Sequence, residues 1–332
     1  MKAMRLDHFS PVEKKPLTLV DIPVPEPGPS EIRIRVKVCG ICHTDLHTVE
    51  GELPGTRLPV IPGHQVIGSV DRRGKGAERF RIGERVGAAW LYSTDETCGY
   101  CLKKKENLCE NARFTGYTAD GGYAEAMVIP EKFAYSIPSI FEDIEAAPLL
   151  CAGIIGYRAL RLSEISPGQR LGLIGFGASA HIAIQIAVHW GCEVYAFSRS
   201  AAHRELAASL GAVWTGPPGR RPPVKLDGIV NFTPAGPTVR EGLRCLERGG
   251  TQALAGITMS PVPELDYTED LYWERTLRSV ANATRQDGEE LLRTAAEIPI
   301  RTTTSVYPLE DANLVLKRLK DSKIDGAAVL IP

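Results

Sequence analysis

The run Val38-Cys39-Gly40-Ile41-Cys42-His43-Thr44-Asp45-Leu46-His47 packs thiols, imidazoles, a hydroxyl and a carboxylate into one short segment. Groups of these types bind metals and carry protons. Pro62-Gly63-His64 adds an imidazole, and Leu150-Cys151-Ala152 adds a thiol much later. Cys98, Cys101 and Cys109 share one loop, which reads as metal binding in a reducing compartment. A different chemistry is written in Gly175-Phe176-Gly177-Ala178-Ser179-Ala180, the G-x-G-x-x-A form of the dinucleotide fingerprint. The first glycine permits a tight turn, and the second lets a pyrophosphate approach the backbone. The small third residue lets helix pack on strand, and the helix N-terminus faces the anion. About 20 residues on, such a motif normally presents an acid to the ribose hydroxyls. Here the next strand ends in Ser198-Arg199-Ser200. Hydroxyls and a guanidinium suit a 2′-phosphate, so NADP is favoured and NAD is the alternative.

These groups must be held by two kinds of scaffold. The first third holds short β-like runs punctuated by Pro and Gly. Glu31 to Val38 alternates apolar and charged residues, and Val66 to Val70 and Arg85 to Ala89 look similar. After about Ala146 the texture changes to alternating strands and helices. Strands are expected at Leu171–Ile174, Cys192–Phe197, Leu226–Asn231 and Thr251–Ala255. Helices are expected at Ala178–Trp190, Ala201–Leu210 and Val239–Glu247. Such βαβ units imply a parallel sheet covered by helices. From about Ala281 the chain returns to mixed strands and one helix, Asp311–Lys320.

Composition narrows the function. Lys and Arg total 39 against 40 Asp and Glu, leaving a net charge of -1 and no electrostatic footprint for nucleic acid or an anionic membrane. The longest stretch free of charge, Leu171–Cys192, contains Gly175, Gly177, His181, Gln185 and His189, and so suits a strand, turn and helix better than a membrane span. The first residues carry charges and no apolar run, unlike a signal peptide. A cytoplasmic protein is expected.

Taken together, the VCGICHTDLH, PGH and LCA segments and the glycine motif resemble the zinc-dependent alcohol dehydrogenases of the medium-chain dehydrogenase/reductase superfamily. The resemblance spans essentially the whole chain and looks closest to the bacterial propanol-preferring, AdhA-like branch. It implies an α/β fold in two parts: a GroES-like, β-rich catalytic domain of residues 1–152 and 281–332, and a Rossmann domain of residues 153–280. It implies a catalytic zinc on Cys42, His64 and Cys151, with Asp45 behind His64 and no zinc role for Cys39. It implies a proton relay through Thr44 and His47, with His43 near the cofactor pyrophosphate. Gly256, Ile257 and Asn282 would meet the nicotinamide end, and Trp90, Leu91 and Thr48 would line the substrate pocket. The implied reaction is hydride transfer between a small alcohol or aldehyde and the cofactor, in a homodimer or homotetramer.

Two positions depart from the family. Gln65 stands where Glu usually follows the zinc-binding histidine. Asp95 stands where the first of four loop cysteines belongs, so a second, structural zinc is expected on Asp95, Cys98, Cys101 and Cys109, giving two zinc ions per chain. The rival readings are a zinc-free enone or quinone reductase on the same fold, against which all three catalytic ligands stand, and an NADP-binding redox sensor, which only the two departures favour.

Overall fold

The computed structural model describes residues 1–298, 300–324 and 326–332. By contacts the chain divides into two compact units. The first comprises Met1–Cys151, Thr284–Arg293 and Arg301–Pro332; the second comprises Ala152–Ala283 and Thr294–Ile300. The sequence reading draws the boundaries at 152/153 and 280/281 and assigns 294–300 to the first part.

The first unit is built on a seven-stranded sheet. Its order is Thr304–Pro308, Ala327–Ile331, Glu31–Ile41, Gln65–Arg73, Arg85–Ala88 and Ala134–Ser136, with Ala126–Pro130 also pairing to Glu31–Ile41. Most pairs are antiparallel, so one face of each strand can be wet. The alternation read in Glu31–Val38 is that pattern: Ile32, Ile34, Val36 and Val38 are buried while Arg35 and Lys37 are exposed. Tyr123, Phe80, Ile32, Ile34 and Met127 are among the largest side chains of this core. Burying each of the Phe, Ile and Met side chains among them is worth about 1.5–3 kcal/mol.

The second unit is a six-stranded parallel sheet. Its order in space is Ala212–Gly216, Glu193–Phe197, Arg170–Ile174, Leu226–Asn231, Leu246–Leu254 and Thr276–Ser279. In chain order this is 3-2-1-4-5-6, the doubly wound arrangement, whose switch point lies beside Arg170–Ile174, the strand that carries the glycine motif. The uncharged stretch that mimics a membrane span is that strand, a turn and the helix Ala178–His189. Among the described residues no helix is long and apolar enough to cross a membrane.

Two expectations need correction. The helix expected to reach Glu247 is Pro237–Leu243, and the next strand already begins at Leu246. Gly249, with φ +74, and a register shift interrupt that strand and hide it from pattern reading. The closing segment has two helices, Arg285–Glu297 and Ala312–Lys320, where one was expected.

Candidate metal centres and nucleotide site

The strand Glu31–Ile41 runs into the helix His43–Glu50 through Cys42, which caps the helix. Its amide donates to Asp45 Oδ2 at 2.9 Å, so Thr44 lies inside the first turn and is not the cap. Gly63, with φ +95, delivers His64; a Cβ there would stand 2.3 Å from the Tyr123 ring and 2.8 Å from Cys39 Sγ. Cys151 follows the short turn Ala147–Leu150. These elements bring three donors together. Cys42 Sγ is 3.3 Å from His64 Nε2 and 3.8 Å from Cys151 Sγ, and Nε2 is 3.4 Å from Cys151 Sγ. Tetrahedral zinc, with bonds of about 2.3 Å to sulfur and 2.0–2.1 Å to nitrogen, sets S···S near 3.8 Å and S···N near 3.6 Å. The triangle therefore fits one face of such a tetrahedron, and the sulfurs are too far apart for a disulfide of about 2.05 Å.

The electrostatics ask for a cation. Burial alone would lower the His64 imidazole, but Asp45 and Cys42 outweigh it and push it up to about 10. The Cys42 thiol is held well above its ordinary value by its bond to Cys151 and by burial. The Cys42 thiol and the His64 imidazole thus cling to protons that a dication would replace. Behind them Asp45, 1% exposed, accepts from the Cys42 amide and from the Gly63 amide at 3.2 Å. Its Oδ1 is 3.2 Å from His64 Nδ1, off the line of a good hydrogen bond, so charge more than alignment ties the two. Cys39 is fully buried outside the donor triangle. Gln65, 3% exposed, leaves its Nε2 without a partner.

His47 lies one turn along the helix, and its Nδ1 bonds the Glu52 carboxylate. Glu52, five residues on and past the helix end, is absent from the sequence reading. His43 is exposed, its ring 6.4 Å from that of His47. Thr44 is 8% exposed. Thr48 is 1% exposed and gives its hydroxyl to the Thr44 carbonyl at 2.8 Å, so it is core and not pocket wall. Trp90 meets the His64 ring edge-on at 5.0 Å and stacks on Phe114 at 5.2 Å, with Tyr117 at 5.5 Å. Leu91 is buried next to it. The sequence reading found Trp90 but missed Phe114 and Tyr117, whose Phe-x-x-Tyr spacing gives no sign of what they flank.

A second donor set lies in the loop from Asp95 to Cys109. One oxygen of Asp95 and the sulfurs of Cys98, Cys101 and Cys109 lie within 4.8 Å of one another. Asp95 Oδ1 accepts from the amides of Thr97 at 3.0 Å and Cys98 at 2.9 Å, and Oδ2 accepts from Asn111 at 2.9 Å. Those three bonds, Asn111 first, hold its carboxyl well below the ordinary range. Cys101 is pushed up to about 12, chiefly by desolvation, with Cys98 and Cys109 adding to it. A carboxylate that stays ionised beside crowded thiols is a donor set for a thiophilic dication such as zinc.

In the second unit Gly175 takes φ +84, as the tight turn requires. A Cβ on Gly177, the cap of the next helix, would meet nothing within 4 Å, so the backbone there is open to a ligand. Ala178 is exposed, Ser179 half-buried and Ala180 fully buried, which leaves the helix N-terminus accessible and seats the helix. Ser198 is 6% exposed and Arg199 is exposed. Ser200 caps the helix Ala201–Ser209 by accepting from the His203 amide at 3.3 Å. Arg204, which the sequence reading missed, holds the carbonyls of Ser198 and Arg199 at 2.7 and 2.9 Å. A cavity of about 230 Å³ opens beside Ile174 and Phe197 and is lined by Arg220, Arg221 and Arg244. Gly256 and Ile257 lie just past the strand Leu246–Leu254, and Asn282, with φ +54, lies past Thr276–Ser279.

Known proteins share these features. Residues 28–139 match the alcohol dehydrogenase GroES-like domain, and residues 180–297 match the zinc-binding dehydrogenase domain. The chain is 46% identical to a probable alcohol dehydrogenase AdhA of Mycobacterium tuberculosis, over 100% of this chain and 97% of the relative. It is 34% identical to an alcohol dehydrogenase of Geobacillus stearothermophilus, over 99% of both chains. Among solved structures it is similar to the cobalt- and zinc-bound thermostable alcohol dehydrogenase of Pyrobaculum aerophilum, at 28% identity and a TM-score of 0.90 over 100% of this chain and 99% of that one. It is also similar to a CAD from Helicobacter pylori complexed with NADP(H), at 25% identity and a TM-score of 0.87 over 100% and 99%.

Proposed function

The chain belongs to the zinc-dependent alcohol dehydrogenases of the medium-chain dehydrogenase/reductase superfamily, and from that premise we propose how its own residues carry the reaction. The enzyme interconverts alcohols and their carbonyl products with a nicotinamide cofactor. The observation that carries the assignment of residues is the donor triangle of Cys42, His64 and Cys151 with Asp45 behind it.

Cys42, His64 and Cys151 hold the catalytic zinc. Bound there, zinc supplies a Lewis acid that makes an alcohol proton easier to lose. Three protein donors leave a fourth position of the tetrahedron for substrate. Asp45 keeps the proton of His64 on Nδ1, so that the Nε2 lone pair faces the two sulfurs. Thr44 and His47 move the substrate proton outward, with Glu52 fixing the His47 ring through Nδ1. Trp90, Phe114 and Tyr117 form an aromatic wall beside His64 that orients an apolar alcohol and excludes water. The bound nicotinamide supplies the hydride acceptor.

The cofactor is NADP. Gly175, Gly177, Ala178, Ser179 and Ala180 receive the pyrophosphate. Gly256, Ile257 and Asn282 serve the nicotinamide end. Ser200 accepts from the helix amide and so keeps its own O–H free to donate to a 2′-phosphate. Arg199, and Arg220 and Arg221 of the neighbouring cavity, supply positive charge, and the helix N-terminus at Ser200 adds its dipole. Asp95, Cys98, Cys101 and Cys109 hold a second, structural zinc. The enzyme works in the cytoplasm as a homodimer or homotetramer.

Metal analysis together with turnover on a panel of alcohols and aldehydes tests the reading. Activity should vanish on chelation and return with zinc. Full turnover in a zinc-free protein would overturn it.

A further inference from the structure

The loop that carries the second donor set spans Asp95 to Cys109, and a loop of that length costs ordering entropy when a metal gathers it. One guanidinium reaches both ends of it. Arg285 Nε lies 3.0 and 2.9 Å from the two carboxylate oxygens of Glu106, and its Nη2 lies 2.5 Å from Oε2. The Arg285 amide donates to the same carboxylate at 2.8 Å. Its Nη1 reaches Glu96 Oε1 at 3.3 Å, and Lys132 holds the other Glu96 oxygen at 2.8 Å. The guanidinium lies 4.3 Å over the Phe133 ring. Glu96 adjoins Asp95, and Glu106 stands three residues before Cys109.

Arg285 is itself firmly placed. It opens the helix Arg285–Glu297 directly after Thr284. The Thr284 amide donates to Asp287 Oδ2 at 2.9 Å, and the Asp287 amide donates to Thr284 Oγ1 at 3.2 Å, a capping box closed on both sides. Glu106 is 9% exposed, so its carboxylate is largely shielded from water and salt, while the Arg285 side chain is partly exposed.

We propose that Arg285 is a positioning residue for the second metal site: it clamps Glu96 and Glu106 and thereby gathers Asp95 and Cys109 before the metal enters. The proposal rests on the reading of Asp95, Cys98, Cys101 and Cys109 as zinc ligands. The clamp carries ordering that the metal would otherwise have to supply, so its loss falls on metal retention at this site and not at the other.

The test follows zinc release from the whole enzyme to the chromogenic chelator 4-(2-pyridylazo)resorcinol, after elemental analysis of the wild type. The release phase of the second site is the one missing in Asp95→Ala. Arg285→Leu should speed that phase by about tenfold to a hundredfold, the range for lost outer-shell partners, and leave the other phase in place. Arg285→Lys, which keeps the charge but not the fork, should fall between, and Glu96→Gln should give a smaller acceleration. If Arg285→Leu does not fold, Arg285→Lys and Glu96→Gln decide. An unchanged second phase, or equal acceleration of both phases, would overturn the clamp. A wild type that holds one zinc would instead overturn the metal reading of the loop, and the clamp with it.

Discussion

Replacing Asp45 with Asn changes one atom and removes a buried charge from the catalytic metal site. The carboxylate accepts from two backbone amides, Cys42 at 2.9 Å and Gly63 at 3.2 Å, and stands 3.2 Å from His64 Nδ1. An Asn can supply one oxygen, so at least one amide or the imidazole faces an NH₂ donor. Leaving one buried donor unmet costs about 1–3 kcal/mol. Lost support behind a metal-bound histidine weakens metal binding by about tenfold to a hundredfold. The two ranges agree, because 1.4 kcal/mol is about tenfold. Asp45→Asn should therefore hold the catalytic zinc about tenfold to a hundredfold more weakly in competition with a chelator, with the second site unaffected. Its melting temperature should respond less to added zinc than that of the wild type. Wild-type affinity and an unchanged thermal response would mean that Asp45 merely caps the helix, and the role assigned to it behind His64 would fall.

Four further outcomes are expected. Elemental analysis should give two zinc ions per chain, and Asp95→Ala should lose one while the catalytic site stays loaded; unchanged content in the variant would exclude Asp95 as a ligand. Zinc entering the metal-free protein near pH 8 should release at least two protons, because His64 pushed up to about 10 and Cys42 held above its ordinary value are both protonated there. The catalytic-site affinity should accordingly climb as pH rises toward 10, while any stability that the His64 imidazolium gives the metal-free protein is complete below about pH 6.5 and fades over the same interval; calorimetry in buffers of different ionisation enthalpy reads the proton count, and no release would refute it. His47→Gln should slow turnover at neutral pH, with partial rescue by concentrated buffer base; wild-type rates without buffer dependence would rule out the relay. The wild type should show higher kcat/KM with NADP than with NAD, and Ser198→Asp combined with Arg199→Leu should reverse the order; a wild-type preference for NAD would mean that Arg199 serves only solvent.

The parts of this enzyme that sequence makes legible are those whose cause is local. The turn at Gly175 and the buried Ala180 follow from steric needs of neighbouring residues, and the alternation in Glu31–Val38 from a sheet with one wet face. The donors of the catalytic site come from distant segments and those of the second site from one loop, yet their residue types survive reading because few other roles call for Cys and His in such groups. What escapes is the support. Glu52 looks like any surface acid until the helix His43–Glu50 ends and turns it back on His47. The helix Arg285–Glu297 carries Gly288 near its start, which argues against a helix locally. The reason lies far away in sequence: a Cβ at Gly288 would stand 2.5 Å from the Tyr135 ring. Arg285, three residues earlier, likewise has a meaning only through Glu106 and Glu96. Donor types can thus be read from a linear pattern, but the clamp and packing around the second metal loop come from pairs separated by more than a hundred residues. Substitutions at those supporting positions should change how tightly each metal is held before they change which metal is chosen, because the donor atoms stay the same while their ordering does not.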